Sequence, residues 1–422
     1  MDALILGPHH KSFPPAQWGT SAADFVAERH RVDEFQTPTL TVDERAMAHN
    51  VALLAEWTAA RGIRLAPHGK TTMAPQLWQQ VLDAGAWGIT LATAWQVQLA
   101  RSFGVRRILL ANAIVDPVSL RWLAAELTAH ADFEFFCWAD SVATVAAMHA
   151  VLAGYDLPGP VNVIVELGAD GGRTGARGIE TAVEVAAAIA KAPSLRLAGV
   201  GGYEGTLAHD RSTAGLTVVI RYLDAVVELH QRLVAGGGYD AQTPIVTAGG
   251  SAYFELVAER LAPLVATTTV LLRSGAYQVH DDGFYHRISP FAEAAIEWQF
   301  RAAMHGWARV VSRPERGLAI LDGGRRDFPF DEGMPVPQRI VGLSEDESAV
   351  ILAGSRVTGL NDQHAYLELG ADASLDVLPV GTVIRLGLSH PCTAFDKWRL
   401  IPVIDDATLA HPRVVDVVET FF

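Results

Sequence analysis

The sequence predicts an α/β protein in which a (β/α)₈ barrel is followed by a C-terminal, mostly β domain. Between residues 63 and 272, short apolar runs alternate with helical segments rich in Ala and Leu. Buried strands that alternate with helices are typical of a parallel sheet covered by helices. Eight such strands in series favour a closed barrel over an open doubly wound sheet. After about residue 290, short β-like pieces separated by Gly and Pro replace the helical runs.

The chain divides into three predicted parts. Residues 1–44 form an N-terminal arm that packs on the body, with a helical piece near residues 21–31 and an extended segment at 37–42. Residues 45–288 form the barrel, and residues 289–422 form the β domain.

The barrel strands are the apolar runs that can be fully buried. They are predicted at residues 63–66, 88–92, 107–111, 133–138, 161–167, 197–202, 244–248 and 268–272. The β domain strands are predicted at residues 307–311, 318–321, 339–343, 349–352, 365–368 and 383–386.

Composition excludes several classes of protein. The net charge of −14 argues against a nucleic-acid or anionic-membrane surface. No apolar run reaches bilayer length, and the N-terminus lacks the basic start of a secretory signal. Two cysteines, Cys137 and Cys392, do not make a disulfide framework. We therefore expect a cytoplasmic, reducing location.

Lys70 follows the first barrel strand, directly after His68 and Gly69. A barrel enzyme does its chemistry at the carboxyl ends of its strands. A neutral lysine amine in such a place can attack a carbonyl carbon. The alternative is a surface lysine at a turn.

Other chemically useful residues follow later strands. Strand five leads into a Gly-rich loop that presents Arg173, strand six leads to Tyr203, and strand eight leads to Arg273, Gly275 and Tyr277. Arg173 could instead pair with a nearby acid, and the tyrosines could be rim aromatics.

The small residues after strand seven could cradle an anion with their backbone N–H groups. They are Thr247, Gly249, Gly250 and Ser251. An ordinary tight turn before a helix is the alternative. Barrel enzymes commonly hold phosphate after strands seven and eight. A phosphate site there, together with a lysine after strand one, indicates a phosphorylated carbonyl compound that is held as a Schiff base. Pyridoxal phosphate satisfies both requirements.

On these motifs the chain resembles the alanine racemase-like barrels, which are fold type III pyridoxal phosphate enzymes, and within them the D-serine dehydratase/D-threonine aldolase branch. The resemblance runs from the Thr-Pro-Thr segment at 37–39 to Cys392. It implies that Lys70 binds the cofactor covalently, with His68 in the same cofactor-binding segment, and that Arg173 faces the phenolic oxygen of the cofactor. It also implies a phosphate site at Gly249, Gly250, Ser251 and Tyr277 and either Tyr203 or Arg273 near the pyridine nitrogen.

His390 and Cys392 lie two residues apart in the β domain. An imidazole and a thiolate form a zinc-like ligand set, with water and substrate completing the shell. Cys392 could instead be a buried apolar side chain. The resemblance implies that this pair holds the metal, Zn²⁺ or Mn²⁺, and that a His-x-Cys pair is typical of the dehydratases. His364 matches a family histidine near the active site, although Gln363 and Ala365 depart from the family's Glu-His-Gly.

These observations predict a lyase that dehydrates a D-β-hydroxy amino acid of the D-serine or D-threonine type to a keto acid and ammonia. We expect Lys70 and the His390–Cys392 pair to meet over the cofactor, and the resemblance implies a homodimer. Retro-aldol cleavage by the same fold is the first alternative. A cofactor-binding protein without turnover is the second.

Overall fold

The computed structural model describes residues 4–241, 243–370 and 378–422. The strands, in chain order, are β1 (Thr39–Asp43), β2 (Arg64–Leu65), β3 (Ile89–Leu91), β4 (Arg107–Leu110), β5 (Glu134–Ala139), β6 (Val161–Leu167), β7 (Leu195–Gly202), β8 (Ile245–Ala248), β9 (Thr269–Leu272), β10 (Met304–Glu315), β11 (Leu318–Leu321), β12 (Val336–Ile340), β13 (Arg356–Leu360), β14 (Ala365–Glu368), β15 (Val383–Gly387), β16 (Leu400–Ile404) and β17 (Val414–Glu419).

Most of the longer helices lie between β2 and β9 in the chain. The helices are α1 (Ala22–Ala27), α2 (Glu44–Ala59), α3 (Pro75–Asp83), α4 (Ala94–Ser102), α5 (Pro117–Ala129), α6 (Val142–Leu152), α7 (Ile179–Ala190), α8 (Thr213–Ala235), α9 (Phe254–Leu261), α10 (Phe284–Ile288), α11 (Glu345–Leu352) and α12 (Pro391–Phe395).

The chain packs as two compact units. The barrel unit holds Leu54–Lys70 and Trp78–Gly275, and the sheet unit holds Met1–Leu53, Thr71–Leu77 and Ala276–Phe422. The sequence places domain boundaries at residues 45 and 289, whereas the sheet unit also takes in β1 and the short segment after Lys70.

The barrel unit contains an eight-stranded parallel sheet in the order β2-β9-β8-β7-β6-β5-β4-β3. At its ends, the Trp87 N–H donates to the Leu65 carbonyl (2.6 Å) and His68 forms an isolated parallel bridge with Thr90. The sheet therefore curls until its two end strands, β2 and β3, meet. All eight predicted strands are confirmed, because buried parallel strands have the apolar runs by which they were recognised.

The barrel interior is filled by side chains from successive strands. Buried residues of this core include Leu109, Ile164, Ala198 and Leu271. Since the strands are parallel, their carboxyl ends share one rim. Lys70, Arg173, Tyr203, Gly249 and Arg273 all follow strand ends on that rim.

The sheet unit contains a nine-stranded sheet in which β13-β14-β11-β10-β1-β16-β17 are neighbours, while β15 pairs with β10 and β12 pairs with β15. The early strand β1 pairs antiparallel with β10 and parallel with β16. A small core of Phe13, Phe25 and Phe35 packs the N-terminal residues against Leu400 and Val417.

The prediction of a strand at 349–352 is wrong, because these residues form the last turn of α11. Ser344 caps this helix: its hydroxyl accepts the Glu347 N–H while the Glu347 carboxylate accepts the Ser344 N–H. This capping box is a helix-start signal that an apolar run alone does not reveal.

Within the described residues, every helix is too short or too polar to cross a bilayer.

Candidate functional site

The turn after β2 places Lys70 at the rim of the barrel. Trp78 Nε1 donates to the Gly69 carbonyl (2.9 Å), and the Ala66 carbonyl accepts the Thr90 hydroxyl (2.6 Å). A Cβ on Gly69 would lie 2.7 Å from Trp78 Nε1, so this closely packed turn requires glycine. Lys70 is half-buried in the result.

His68 shows which residues converge at this rim. Its pKa is lowered well below the ordinary value by burial first, and then by the positive charges of Lys70, Arg273 and Arg173. A Cβ on Gly275 would lie 2.6 Å from His68 Cβ, so the chain after β9 approaches His68 closely. The structure therefore brings Lys70, His68, Arg173, Arg273 and Gly275 together, as the sequence predicts for the end of the barrel.

Arg273 is fixed by buried hydrogen bonds. Its Nη1 donates to Thr247 Oγ1 (2.6 Å) and its Nη2 to the Gly202 carbonyl (2.6 Å). The guanidinium lies over the Trp138 ring, 4.9 Å from the centroid. The Thr247 hydroxyl thus holds Arg273 in place.

The glycine turn after β8 binds a carboxylate of the protein itself. The N–H groups of Gly249 and Gly250 donate to Glu204 Oε2 (2.9 Å) and Oε1 (2.6 Å). Two successive N–H groups that converge on an anion are the arrangement predicted for this turn. Burial raises the pKa of Glu204, and the Gly250 N–H opposes that shift. A phosphate at the same two N–H groups would have to replace Glu204.

The loop after β6 carries Arg173, which is exposed and lies over the Tyr203 ring at 5.2 Å. Arg177 organises the loop by donating to four of its backbone carbonyls, among them those of Thr174 (2.8 Å) and Arg173 (2.9 Å). Glu166, at the base of the loop, accepts the Thr174 hydroxyl (2.8 Å). Burial raises the pKa of Glu166 to about 7.

The barrel rim fits a polar ring-shaped cofactor. Near the barrel rim, the buried side-chain nitrogens His68 Nδ1, Trp138 Nε1 and Arg273 Nε have no hydrogen-bond partner among the described residues. Buried polar atoms normally have partners, so unpaired ones in a functional cleft point to a ligand. Together with Lys70 and Arg173, they offer an amine and several donors to a compound that carries oxygens, a ring nitrogen and an aldehyde.

His390 and Cys392 lie in the sheet unit at the start of α12. The pKa of His390 is raised to about 9, chiefly by the hydrogen bond between its ring and Cys392. The Asp331 carboxylate lies 2.5 Å from His390 Nδ1, which leaves Nε2 as the nitrogen for a metal. The Thr393 hydroxyl also donates to Asp331 (2.8 Å).

The donor set of this pair fits a soft or borderline divalent metal, since imidazole and thiolate are the ligands that zinc prefers. The described residues contain no cluster of three or more His, Cys, Asp or Glu side chains that could hold a metal. The predicted site therefore has two protein ligands. Cys392 Sγ also lies 3.6 Å from Thr71 Oγ1, and Thr71 directly follows Lys70 in the sequence.

Two predicted site residues, His364 and Tyr277, belong to the sheet unit. His364 is exposed in the hairpin between β13 and β14. Tyr277 is buried in the sheet unit and packs near Phe300, with ring centroids 6.1 Å apart. Their predicted roles stay predictions.

Sequence reasoning missed four residues that shape these sites: Glu204, Arg177, Asp281 and Asp331. Glu204 and Arg177 stand next to motifs that were recognised, so their position in the Gly-rich segments was an available signal. Asp281 and Asp331 reach His390 from more than fifty residues away, and no local pattern marks them.

Two family profiles match the chain. "Alanine racemase, N-terminal domain" matches residues 42–262, which is over half of the chain, and "Putative serine dehydratase domain" matches residues 303–404. The chain is 25% identical to a D-threonine aldolase of Arthrobacter sp over 400 residues, 94% of this chain and 93% of that protein. It is 26% identical to D-threo-3-hydroxyaspartate dehydratase of Delftia sp. (strain HT23) over 370 residues, 84% of this chain and 90% of that protein.

Solved structures share the fold. The D-threonine aldolase from Filomicrobium marinum superposes with a TM-score of 0.76 at 23% identity, covering 93% of this chain and 97% of that one. A variant of D-threo-3-hydroxyaspartate dehydratase in the metal-free form gives a TM-score of 0.73 at 21% identity, covering 93% and 99%.

A parallel barrel with a lysine after its first strand, joined to a β domain, defines a class: the chain belongs to the alanine racemase-like family of fold type III pyridoxal phosphate enzymes. Within that family it belongs to the D-serine dehydratase/D-threonine aldolase-like branch.

Proposed function

We propose that this protein is a lyase that dehydrates a D-β-hydroxy amino acid, of the D-serine or D-threonine type, to a keto acid and ammonia. The observation that carries the proposal is the pairing of His390 with Cys392, with Asp331 on the second ring nitrogen. A thiolate and an oriented imidazole suit zinc, and a Lewis acid is what a poor leaving group such as hydroxide requires.

The barrel rim supplies the second half of the proposal. Pyridoxal phosphate would be held by Lys70 and Arg173, with Arg273 and Ser251 at its edges, and when bound it supplies an electron sink for the α-carbon. Lys70 Nζ takes the α-proton of the substrate. This step needs Lys70 as the neutral amine.

The sheet unit would bind the metal through His390 and Cys392, and a divalent ion there supplies Lewis-acid chemistry toward the β-hydroxyl. Asp331 contacts His390 Nδ1 and so leaves Nε2 as the ring nitrogen for the metal. The proposal requires Lys70 and this pair to act on the same substrate molecule. The homodimer implied by the family resemblance is part of it.

Retro-aldol cleavage is the second candidate, because a relative that aligns with 94% of this chain is a D-threonine aldolase. The two reactions differ in the bond that breaks. Dehydration breaks Cβ–O and converts D-threonine to 2-oxobutanoate and ammonia, whereas cleavage breaks Cα–Cβ and gives glycine and acetaldehyde. Cys392 favours dehydration, since the His-x-Cys pair is the dehydratase pattern of the family.

One assay tests both. The purified protein, supplied with pyridoxal phosphate and zinc, is incubated with D-threonine, and 2-oxobutanoate and glycine are measured in the same sample. We expect 2-oxobutanoate in excess and no turnover of L-threonine. Lys70→Ala should lose turnover and the visible absorbance of the bound cofactor, whereas the exposed Lys191→Ala should retain both.

Glycine as the main product would mean that the protein catalyses retro-aldol cleavage rather than dehydration. Absence of both products from a panel of D-β-hydroxy amino acids would reject the lyase. An unchanged absorbance spectrum in Lys70→Ala would remove Lys70 from its role.

A further inference from the structure

The sheet unit contains a polar cavity of about 490 Å³ that the proposed reaction does not use. We call it the Arg385 cavity. It lies where β1, β10, β12 and β15 meet the loop before β17, and its walls include Arg385, His305, Gln338, Asp282 and Asp406.

Arg385 is 9% exposed and carries a charge that has no ion-pair partner among the described residues. Its Nη1 donates to the Ala407 carbonyl, and its Nε has no hydrogen-bond partner. Arg339 stands directly opposite Arg385 on β12 and is also buried, with its guanidinium bonded to the Leu343 and Thr408 carbonyls. The positive charge of Arg339 repels that of Arg385, whereas the carboxylates of Asp282, Glu345 and Asp43, which line the cavity, attract it. None of these groups pairs with the Arg385 Nε–H, which is left for an anion in the cavity.

Gln338 enters the same cavity through an irregularity of the sheet. The register between β12 and β15 shifts between Pro337 and Arg339, so Gln338 is the extra residue of a β-bulge. Bulges re-aim side chains and occur often beside functional sites. A Cβ on Gly387 would lie 2.4 Å from Gln338 Nε2 and 2.7 Å from Asp282 Oδ2, so glycine makes room for both side chains. Gln338 Oε1 is buried and has no partner.

His305 adds a third unpaired atom. It is 5% exposed, and its Nδ1 has no hydrogen-bond partner among the described residues. Burial and the nearby Arg385 keep the His305 pKa well below its ordinary value, so the ring is neutral. Near it, the buried Asp282 carboxyl has a pKa raised to about 6 by burial.

We propose that the Arg385 cavity binds a small carboxylate that also carries an N–H or O–H donor, which is the pattern of an amino acid or a hydroxy acid. The Arg385 Nε–H donates to the carboxylate of the ligand, because it is a buried cationic donor without a partner. Gln338 Oε1, with Asp282 and His305 beside it, accepts a hydrogen bond from the N–H or O–H group of the ligand. Buried polar atoms left without partners cost stability, so a ligand that pairs with all three stabilises this unit.

Calorimetric titration of the cofactor-loaded protein tests the proposal. The probes are glycolate and N,N-dimethylglycine, neither of which has the primary amine needed to react with an aldehyde, and acetate and dimethylamine serve as half-molecules. We expect saturable one-site binding of glycolate, N,N-dimethylglycine or both, at least about tenfold tighter than binding of acetate or dimethylamine. The better of the two distinguishes a hydroxy-acid site from an amino-acid site.

Variants locate the binding. Gln338→Leu and Arg385→Lys should each weaken it by about tenfold, while Gln36→Leu, an exposed glutamine of the same unit, should not. His390→Ala should also leave it unchanged. Thermal melting establishes that each variant is folded, and Gln338→Leu keeps the test valid if Arg385→Lys does not fold.

Three results would overturn the proposal. The first is that no probe binds at 10 mM or below, a concentration on the order of the weakest affinity that a paired charge explains. The second is that binding is unchanged in both Gln338→Leu and Arg385→Lys. The third is that binding is lost in His390→Ala, which would assign the carboxylate to the predicted metal site.

Discussion

His390 has a left-handed backbone, with φ at 55°. Residues other than glycine rarely adopt this conformation, and it persists where surrounding contacts enforce it. Here Asp281 Oδ2 accepts the His390 N–H (2.9 Å), while Asp281 Oδ1 accepts the N–H groups of Gly283 and Tyr285 (2.9 Å each). A fully buried carboxylate therefore fixes the backbone from which the imidazole projects.

Asp331→Asn should weaken zinc binding. The Asp331 carboxylate lies 2.5 Å from His390 Nδ1, and removing such a charged partner from a ligating histidine typically costs 10–100-fold in metal affinity. Competition against a chromophoric chelator measures the affinity without reference to turnover.

Asp362→Asn is the matched control, because Asp362 is an exposed aspartate of the same unit that pairs with Arg326. Its zinc affinity should equal that of the unaltered protein. Equal affinity in Asp331→Asn would mean that Asp331 does not orient the ligand.

At this scale the sequence predicts residues that belong to local motifs. Lys70, Arg173, Gly249 and Arg273 follow strand ends, and a strand end can be recognised from its neighbours in the chain. Glu204 is different, because its carboxylate accepts the N–H groups of Gly249 and Gly250, which lie 45 and 46 residues further along the chain. A single sequence contains no signal for such a pairing.

Among the elements, the parallel strands were predictable and the β domain was less so. Strands buried on both faces are apolar throughout, as in Val161–Leu167, where six of the seven residues are buried. Strand β12 contains Pro337 and a bulge and mixes exposed with buried residues, so the prediction at 339–343 misses its start at Val336. Helix α11 was mistaken for a strand because its cap was overlooked.

Ser344→Ala should destabilise the sheet unit by about 1 kcal/mol, since it removes the hydroxyl that caps α11. Urea denaturation monitored by circular dichroism measures the change. Glu347→Gln should cost less, because the amide oxygen can still accept the Ser344 N–H. Identical unfolding curves for Ser344→Ala and the unaltered protein would show that the cap does not contribute to stability.

For the molecule as a whole, the buried carboxyls make stability depend on pH. Glu166 is 6% exposed, and its pKa rises from 4.5 in the unfolded chain to about 7 in the folded protein. A raised pKa means that the folded state binds the proton more tightly. The contribution of Glu166 is therefore fully present below pH 4.5 and is lost as the pH rises through about 7.

Glu166→Gln should remove that dependence while keeping an acceptor for Thr174. The variant should gain stability relative to the unaltered protein as the pH rises from 4.5 to 8, by at most about 3 kcal/mol. Unfolding free energies at a series of pH values measure it. The exposed Glu184→Gln should show no such gain, and a constant difference between Glu166→Gln and the unaltered protein would contradict the assigned pKa.

Strand β1 has a consequence for how the protein is made. Residues 39–43 leave the ribosome early, yet their neighbours in the sheet are β10 and β16, more than 260 and 350 residues further along the chain. The nine-stranded sheet therefore cannot be completed until translation is nearly finished. The barrel strands, which pair mostly with near neighbours, can assemble before then. Until β10 has been made, β1 has no neighbour in the sheet, and Leu40 and Val42, both fully buried in the folded protein, lack the residues they pack against.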